Sequence, residues 1–261
     1  MFSTQPHRIL LAWLILVLAI TACTSQAQAT GTPTNPPSTN TPLPSPTLTN
    51  TPKPTSTPRP SATPNTVATE KYDKMFSLVQ KFDEDGLLSS TNGRYKIMPD
   101  YEEDFAQIGW LQFNYLPGTM KHFIFNANVK WQTAMDTTDT SGCGIVFGVE
   151  EQGKNYEYYG VVLDKSRIYF SIARSGYYRE LGKTRGTGRL EFGNPAEAEL
   201  TLLVYNNHAF VYVDDNFIGE YTLSESKELR GNFGYGIISG TNKGYGTRCQ
   251  ISNATMWQFT Q

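Results

Sequence analysis

Apolar and polar residues alternate along much of the chain beyond residue 105. Between His122 and Trp131 the odd-numbered positions are all apolar, whereas most even-numbered positions are polar. Because successive side chains of a strand point to opposite faces, this alternation predicts a strand with one buried face. Further strands are predicted at Phe105–Tyr115, Cys143–Val149, Tyr156–Leu163, Ile168–Ala173, Tyr177–Leu181, Glu199–Tyr205, Ala209–Val213, Phe217–Thr222, Gly234–Ser239 and Thr247–Phe259.

A helical repeat precedes these segments. Tyr72, Met75, Phe76, Val79 and Phe82 follow one another at helical spacing, which places them on one face of a helix. Many short strands after a single helix, with no helices between them, predict an antiparallel sandwich or jelly roll. The expected fold class is therefore all-β with a short N-terminal helix.

Residues that tolerate positive φ stand between several of the predicted strands. These are Asn206-Asn207, Asp214-Asp215 and Ser175-Gly176. Such pairs are typical of tight hairpins, so they predict antiparallel connections between neighbouring strands.

The first 22 residues have the organisation of an export signal. His7 and Arg8 precede an apolar segment, Ile9–Ile20, that is shorter than the roughly 20 residues needed to cross a membrane. It leads into Leu18-Ala19-Ile20-Thr21-Ala22-Cys23, which resembles the processing site of a bacterial lipoprotein. We expect a signal peptide over residues 1–22 and a lipid on Cys23. A secretory peptide cut before Cys23 and an uncleaved anchor helix are the alternatives.

Residues 23–69 form a segment of different composition. The segment is rich in Thr and Pro and has no aromatic residue, so it lacks the apolar surface needed to form a core. We expect a disordered, extended linker that holds a β-sandwich domain, residues 70–261, away from a surface.

The cysteine count agrees with export. The chain has three cysteines, and a lipid on Cys23 would leave Cys143 and Cys249 as one pair. An exported pair is expected to form a disulfide, with two buried free thiols as the alternative. Neither cysteine has a Cys or His neighbour at ligand spacing, so no zinc site is expected.

Several motifs resemble one family of domains. They are Cys143–Gly148, Asn155–Val162, Ser175–Leu181, Leu200–Tyr205, Phe210–Asp215 and Gly234–Ile238. In order and character they are similar to the concanavalin A-like lectin/glucanase sandwich, in particular its laminin G-like and 3-keto-disaccharide hydrolase-like branch. The resemblance implies either recognition of carbohydrate or processing of glycosides.

The carboxylates give no catalytic pattern. Glu102-Glu103-Asp104 and Glu150-Glu151 are adjacent residues whose side chains would point to opposite faces of a strand, unlike the facing pair of a glycosidase. We interpret both groups as solvated charges near strand ends. The mature chain has His122 and His208 but no nucleophile elbow, so no catalytic residue is predicted.

Cofactors are not expected. Asp136-Thr137-Thr138-Asp139 has oxygen ligands of the kind that bind Ca²⁺ in laminin G-like domains, but too few for a defined cage. Calcium is therefore only a weak alternative.

Tyrosines offer a binding surface. On the predicted strands Tyr156, Tyr158, Tyr169 and Tyr178 share one face, and tyrosine rings with their hydroxyls suit sugar rings. The alternative is that they pack against the sheet. A basic cluster follows, formed by Arg174, Arg179, Lys183, Arg185 and Arg189, and either attracts an anionic polymer or protects a sheet edge.

These observations predict a surface-anchored lipoprotein. We expect a monomer on the extracytoplasmic side of the cell membrane, attached by its lipid, whose sandwich binds a glycan or cell-wall polymer without catalysis. A formal net charge of −2 gives no basis for binding nucleic acid. The alternatives are a glycoside-processing enzyme of the 3-keto-disaccharide hydrolase type and a structural or protein-docking module.

Overall fold

The computed structural model describes residues 66–136, 139–152, 155–174, 177–223, 229 and 231–260. The predicted signal peptide, Cys23 and nearly all of the predicted linker lie outside these residues. The part of the chain that is described contains no helix long and apolar enough to cross a membrane.

The described chain begins with helix α1, Thr66–Glu84. Met75, Val79 and Phe82 are buried, as the helical spacing predicts, and Leu78 is buried beside them. Tyr72 and Phe76, which were predicted on the same face, lie at its margin and are exposed. The helix ends in a Schellman motif: the Leu87 N–H donates to the Phe82 carbonyl, and Gly86 has a φ of 72°.

Thirteen strands follow in the described residues. They are β1 Gly93–Ile97, β2 Tyr101–Phe105, β3 Trp110–Thr119, β4 Phe123–Thr133, β5 Gly142–Gln152, β6 Asn155–Asp164, β7 Arg167–Arg174, β8 Tyr177–Glu180, β9 Ala196–Tyr205, β10 His208–Val213, β11 Asn216–Thr222, β12 Asn232–Ser239 and β13 Thr247–Phe259.

The strands form two sheets, and all paired strands run antiparallel. One sheet has seven strands in the order β1-β13-β4-β9-β10-β11, with β2 also pairing with β13. The other has six strands in the order β3-β12-β5-β6-β7-β8. The inward-facing residues of both sheets form one core, which includes Phe123, Phe125 and Val129 from the predicted alternation. The expected all-β fold, an antiparallel sandwich of two sheets with a short N-terminal helix, is confirmed.

Helix α1 covers part of the outer face of the seven-stranded sheet. Its buried side chains form a second apolar cluster with Ile124, Leu203, Tyr212 and Trp257, among others. Phe82 lies 5.2 Å from the Tyr212 ring. The helix therefore buries apolar residues that the sheet would otherwise expose.

A disulfide joins the two sheets. Cys143 lies on β5 and Cys249 on β13, and both are fully buried with their Cα atoms 5.4 Å apart. The predicted pairing of these cysteines is thus present in the structure.

The hairpin turns follow the predicted residues. Asn206 and Asn207 have φ values of 46° and 62°, and Asp214 and Asp215 have 49° and 61°. Two consecutive residues of positive φ are the signature of a type I′ turn. The predicted turn at Ser175-Gly176 lies outside the described residues.

Two features of the first three strands were not predicted. β1 and β2 are short strands that pair with β13; β1 precedes the first predicted strand, and β2 ends at its first residue. The predicted strand Phe105–Tyr115 is instead divided, because Phe105 ends β2 and β3 begins at Trp110. Gly109, with a φ of 72°, lies in the connection between the two strands.

Candidate functional site

The four predicted tyrosines lie on the outer face of the six-stranded sheet. Tyr156 and Tyr158 are two residues apart on β6 and therefore lie on the same face. Tyr158 is paired with Ala173 of β7, and Ala173 is in turn paired with Tyr178 of β8. Tyr169 lies two strand positions from Ser171 on the same side of β7. The sheet register therefore brings the side chains that were predicted from alternation to one surface.

Two aromatic residues of β3 join this surface. The Phe113 ring lies 5.3 Å from the ring of Tyr156 and 5.3 Å from that of Tyr158. The Tyr115 ring lies 6.3 Å from Tyr156. We call Phe113, Tyr115, Tyr156, Tyr158, Tyr169 and Tyr178 the aromatic layer.

Two glycines of β12 allow side chains of β3 to contact side chains of β6. The two strands are separated by β12 and β5, and the β12 residues opposite Phe113 and Tyr115 are Gly236 and Gly234. A Cβ on Gly236 would lie 3.4 Å from Leu111 Cδ1, so a side chain of β3 already lies over this position. Because the glycines add no side chain here, side chains from β3 can lean across the sheet.

The members of the aromatic layer differ in depth. Tyr156 and Tyr178 are 39% and 44% exposed, Tyr115 is also exposed, and Tyr169 is partly buried. Tyr158 is only 8% exposed. The Tyr158 ring is thus packed beneath its neighbours, close to the sheet, while the other tyrosines present ring surface to solvent.

The hydroxyls of Tyr115 and Tyr178 lie among neighbouring tyrosines of the aromatic layer. The Tyr115 ring is 6.3 Å from that of Tyr156, and the Tyr178 ring is 5.7 Å from that of Tyr169. Burial is the main cause that raises the pKa of Tyr115 and of Tyr178, so both hydroxyls are protonated at neutral pH. These hydroxyls can donate and accept hydrogen bonds at the surface of the layer.

Arg167, at one edge of the aromatic layer, is paired with a carboxylate. The Arg167 guanidinium lies 5.1 Å from the centre of the Tyr169 ring and donates to both carboxylate oxygens of Glu180, each at 3.2 Å. This arrangement orders the edge of the layer without leaving a net positive charge on Arg167 and its partner.

Three residues of the predicted basic cluster have acidic or backbone partners. Arg185 binds Glu220 at 2.9 Å, on a strand of the other sheet, and Lys183 donates to the Gly188 carbonyl. Arg174 lies 3.8 Å from Glu157. These contacts agree with the second interpretation of the cluster, a charged edge, more than with an anion-binding patch.

The first carboxylate group has a structural role. Glu102, Glu103 and Asp104 lie within β2 rather than beside a strand end, which corrects the prediction. Glu103 accepts hydrogen bonds from Tyr101 and Gln112, and Arg248 binds both oxygens of Asp104. The hydrogen bonds from Arg248 lower the pKa of Asp104. These carboxylates secure the sheet edge.

The weak calcium candidate is only partly described. Thr137 and Thr138 lie outside the described residues, and Asp136 binds Lys165 Nζ at 2.6 Å. Within the ranges given above, no group of three or more His, Cys, Asp or Glu residues is placed to hold a metal ion.

Phe113 and Tyr115 were the site residues that sequence reasoning missed. Leu111, Phe113 and Tyr115 alternate in the sequence, so a strand with these three residues on one face was visible. What the alternation does not show is which distant strand the face approaches.

No family model and no curated protein matches the chain. Solved structures of similar fold include the carbohydrate-binding module CBM66 from Bacillus subtilis, with 12% identity and a TM-score of 0.44 over 63% of this chain and 95% of that one. A Bacillus subtilis protein of unknown function with a galectin-like fold has 9% identity and a TM-score of 0.44, over 64% of this chain and 87% of that one.

A fructosyltransferase from A. japonicus is also similar, with 13% identity and a TM-score of 0.42 over 65% of this chain. The chain spans only 27% of the length of that enzyme. These are similarities of fold, and they transfer neither a ligand nor an activity to this protein.

Proposed function

We propose that this domain binds an uncharged carbohydrate chain on the aromatic layer, without catalysing a reaction on it. The proposal is supported by one observation above all: several tyrosines on one sheet face expose ring surface while contacts with neighbouring rings hold them in place. Rings that are already ordered lose little conformational entropy when a ligand binds.

The chemistry of the layer fits a sugar ring. A tyrosine ring provides apolar area for the C–H groups of a sugar, and its hydroxyl can bond to a sugar hydroxyl. Arg167 is paired with Glu180, so its guanidinium is already neutralised by a carboxylate and is a poor site for a phosphate or a ligand carboxylate. An uncharged glycan is therefore a better match than an anionic cell-wall polymer.

The test is retention of the protein on a panel of immobilised glycans. We expect Tyr156→Ala and Tyr178→Ala each to weaken binding about tenfold, equivalent to about 1.4 kcal/mol. Tyr177→Ala is the matched control, because Tyr177 is 82% exposed but adjacent to Tyr178 on one strand and therefore directed to the opposite side. Failure to bind any glycan, or an equal loss from Tyr177→Ala, would contradict the proposal.

We also propose that the mature protein is anchored by a lipid on Cys23, on the extracytoplasmic side of the cell membrane. The support is the order of a basic start, a short apolar segment and small residues before the cysteine. More than one acyl chain would be needed for stable attachment, since a single chain binds membranes only marginally.

Detergent phase partitioning and intact mass of the full-length protein test this anchor. The wild-type protein is expected in the detergent phase with the mass of its first 22 residues replaced by that of a lipid. Cys23→Ser should move the protein to the aqueous phase. A wild-type protein that keeps its first 22 residues would show that the anchor proposal is wrong.

Glycoside processing remains the alternative function. An enzyme of this kind would release product from a disaccharide glycoside, whereas a non-catalytic binding domain would not. Product release that survives Tyr156→Ala would favour the enzyme over the binding module.

A further inference from the structure

A pocket opens at one end of the sandwich, and no residue of the aromatic layer is among those that line it. It lies where β4 and β6 end and β5 begins, and its volume is about 240 Å³. The described residues that line it include Trp131, Asp164, Lys165, Phe192 and Asn194. We call this the end pocket.

One wall of the end pocket is apolar and well supported. The rings of Trp131 and Phe192 meet edge to face, with their centres 4.9 Å apart. Trp131 is buried in the core, and Phe192 packs against the same core. The part of these rings that faces the pocket is therefore held in one position.

A carboxylate lines the end pocket as well. Asp164, the last residue of β6, is 6% exposed and accepts the Lys165 backbone N–H at 2.6 Å. Burial raises the pKa of this carboxyl, although the hydrogen bond from the Lys165 backbone opposes the change. The other carboxylate oxygen of Asp164 has lone pairs that can accept hydrogen bonds from hydroxyl groups.

The remaining polar groups are also ordered. Asn194 is held by two hydrogen bonds to the backbone of Thr133, at 2.9 and 3.0 Å. The Ser141 hydroxyl accepts the Gly240 N–H at 2.9 Å, which leaves its own proton as a donor. At the pocket rim, Lys165 Nζ binds Asp136.

We propose that the end pocket is a second binding site, which takes a single uncharged sugar ring. The fixed aromatic wall suits the C–H face of such a ring, and the Asp164 carboxylate and Ser141 hydroxyl suit its hydroxyls.

Size and charge narrow the ligand class. Sites for drug-sized ligands usually have about 300–1,000 Å³, so the end pocket matches one ring rather than a chain. Three carboxylates, of Asp136, Asp139 and Asp164, line the end pocket together with one ammonium group, that of Lys165. Negative charge is therefore in excess, and an acidic sugar would be repelled. This site does not depend on the aromatic layer, so either can fail without the other.

The test uses the full-length protein with glucose, galactose, mannose and fructose, and with glucuronate as the charged comparison. Saturation-transfer NMR titrations should show saturable binding of at least one of the four uncharged sugars, with glucuronate at least tenfold weaker. Asp164→Asn and Ser141→Ala should each weaken that binding at least fivefold. Tyr178→Ala should leave it unchanged, because that residue belongs to the other site.

Asp100→Asn is the matched control. Asp100 also accepts a backbone N–H, from Asn253, but it does not line the end pocket. If Asp164→Asn lowers the thermal stability, Asp139→Asn provides a second pocket variant with an exposed side chain, and it should also weaken binding. No binding by any of the four sugars, or equal losses from Asp100→Asn and the pocket variants, would overturn the proposal.

Discussion

Tyr156 and Tyr158 show how depth varies between two residues on one strand face. Tyr158 lies between neighbouring strands, beside Ala173 of β7, and Phe113 packs against its ring. Tyr156 lies near the beginning of β6, where its ring contacts Phe113 and Tyr115 at the margin of the layer. The same residue type is therefore buried support at one position and a solvent-exposed ring at the other.

The buried hydroxyl of Tyr158 gives a prediction about alkaline stability. Burial raises the pKa of Tyr158 to about 12, whereas a tyrosine in an unfolded chain has a pKa of about 10. The unfolded state loses this proton first, so the free energy of unfolding should fall as pH rises from about 10 to about 12. The contribution of Tyr158 to this fall is at most about 2.7 kcal/mol over two pH units.

Urea denaturation of the wild-type protein and Tyr158→Phe at pH 9 and pH 11 measures this effect. Tyr158→Phe should lose less stability between the two values. The stability lost by the variant must be subtracted from that lost by the wild-type protein, because Tyr221 contributes to both losses. Burial raises the pKa of Tyr221 to about 12. Equal losses in the two proteins would show that Tyr158 is not responsible.

Helix α1 illustrates the relation between pattern and packing at the scale of an element. Its apolar face covers the outer face of the seven-stranded sheet around Ile124 and Leu203, which are fully buried. Without the helix these sheet residues would face water. The helix is therefore part of the sandwich domain, and its sequence explains why a sheet with apolar residues on both faces is stable.

Replacing two phenylalanines of this helix by alanine should lower stability by different amounts. Phe82 is fully buried against Tyr212, whereas Phe76 is 38% exposed. Phe82→Ala should lower the free energy of unfolding by about 3–5 kcal/mol because it leaves a cavity. Phe76→Ala should cost about 1 kcal/mol, since part of its ring is already in water.

Chemical denaturation of the two variants tests the packing of α1. A loss below about 1 kcal/mol for Phe82→Ala would mean that the helix is not docked on the sheet.

At the scale of the whole molecule, the disulfide joins elements that are distant in the chain. Cys143 and Cys249 are separated by 106 positions and connect an interior strand of one sheet with an interior strand of the other. The bond therefore closes a long loop in the unfolded chain and ties together the two layers around one core. A cross-link of this kind stabilises the fold mainly by limiting the unfolded state.

Removal of this bond should lower stability without changing the fold. Replacing both cysteines by Ala is expected to reduce the free energy of unfolding by about 2–5 kcal/mol, with about 4.7 kcal/mol from the loop-entropy relation for about 100 residues. Denaturation of the double variant, compared with wild-type protein under reducing and oxidising conditions, measures the change. If reduction leaves the wild-type protein as stable as before, the disulfide does not contribute in this way.

The fold class was predictable because its signals are local. Alternation around Phe125 and the paired turn residues at Asn206 and Asp214 depend only on neighbours in the chain, and so does the helical face that contains Phe82. The same alternation placed Tyr156, Tyr158, Tyr169 and Tyr178 on one side of their strands. These predictions needed no knowledge of which strand lies beside which.

Strand partners and site depth were decided by tertiary structure. β1 and β2 are short, and their pairing with β13 depends on residues more than 100 positions away. Phe113 reaches Tyr158 because β12 brings glycines between their strands, and Trp131 near the end of β4 meets Phe192 from the connection between β8 and β9. The sequence alone determined which face of each element is apolar, since periodicity is a property of consecutive residues. Only the folded chain decided which faces meet, because contacts between distant segments depend on the packing of the whole core.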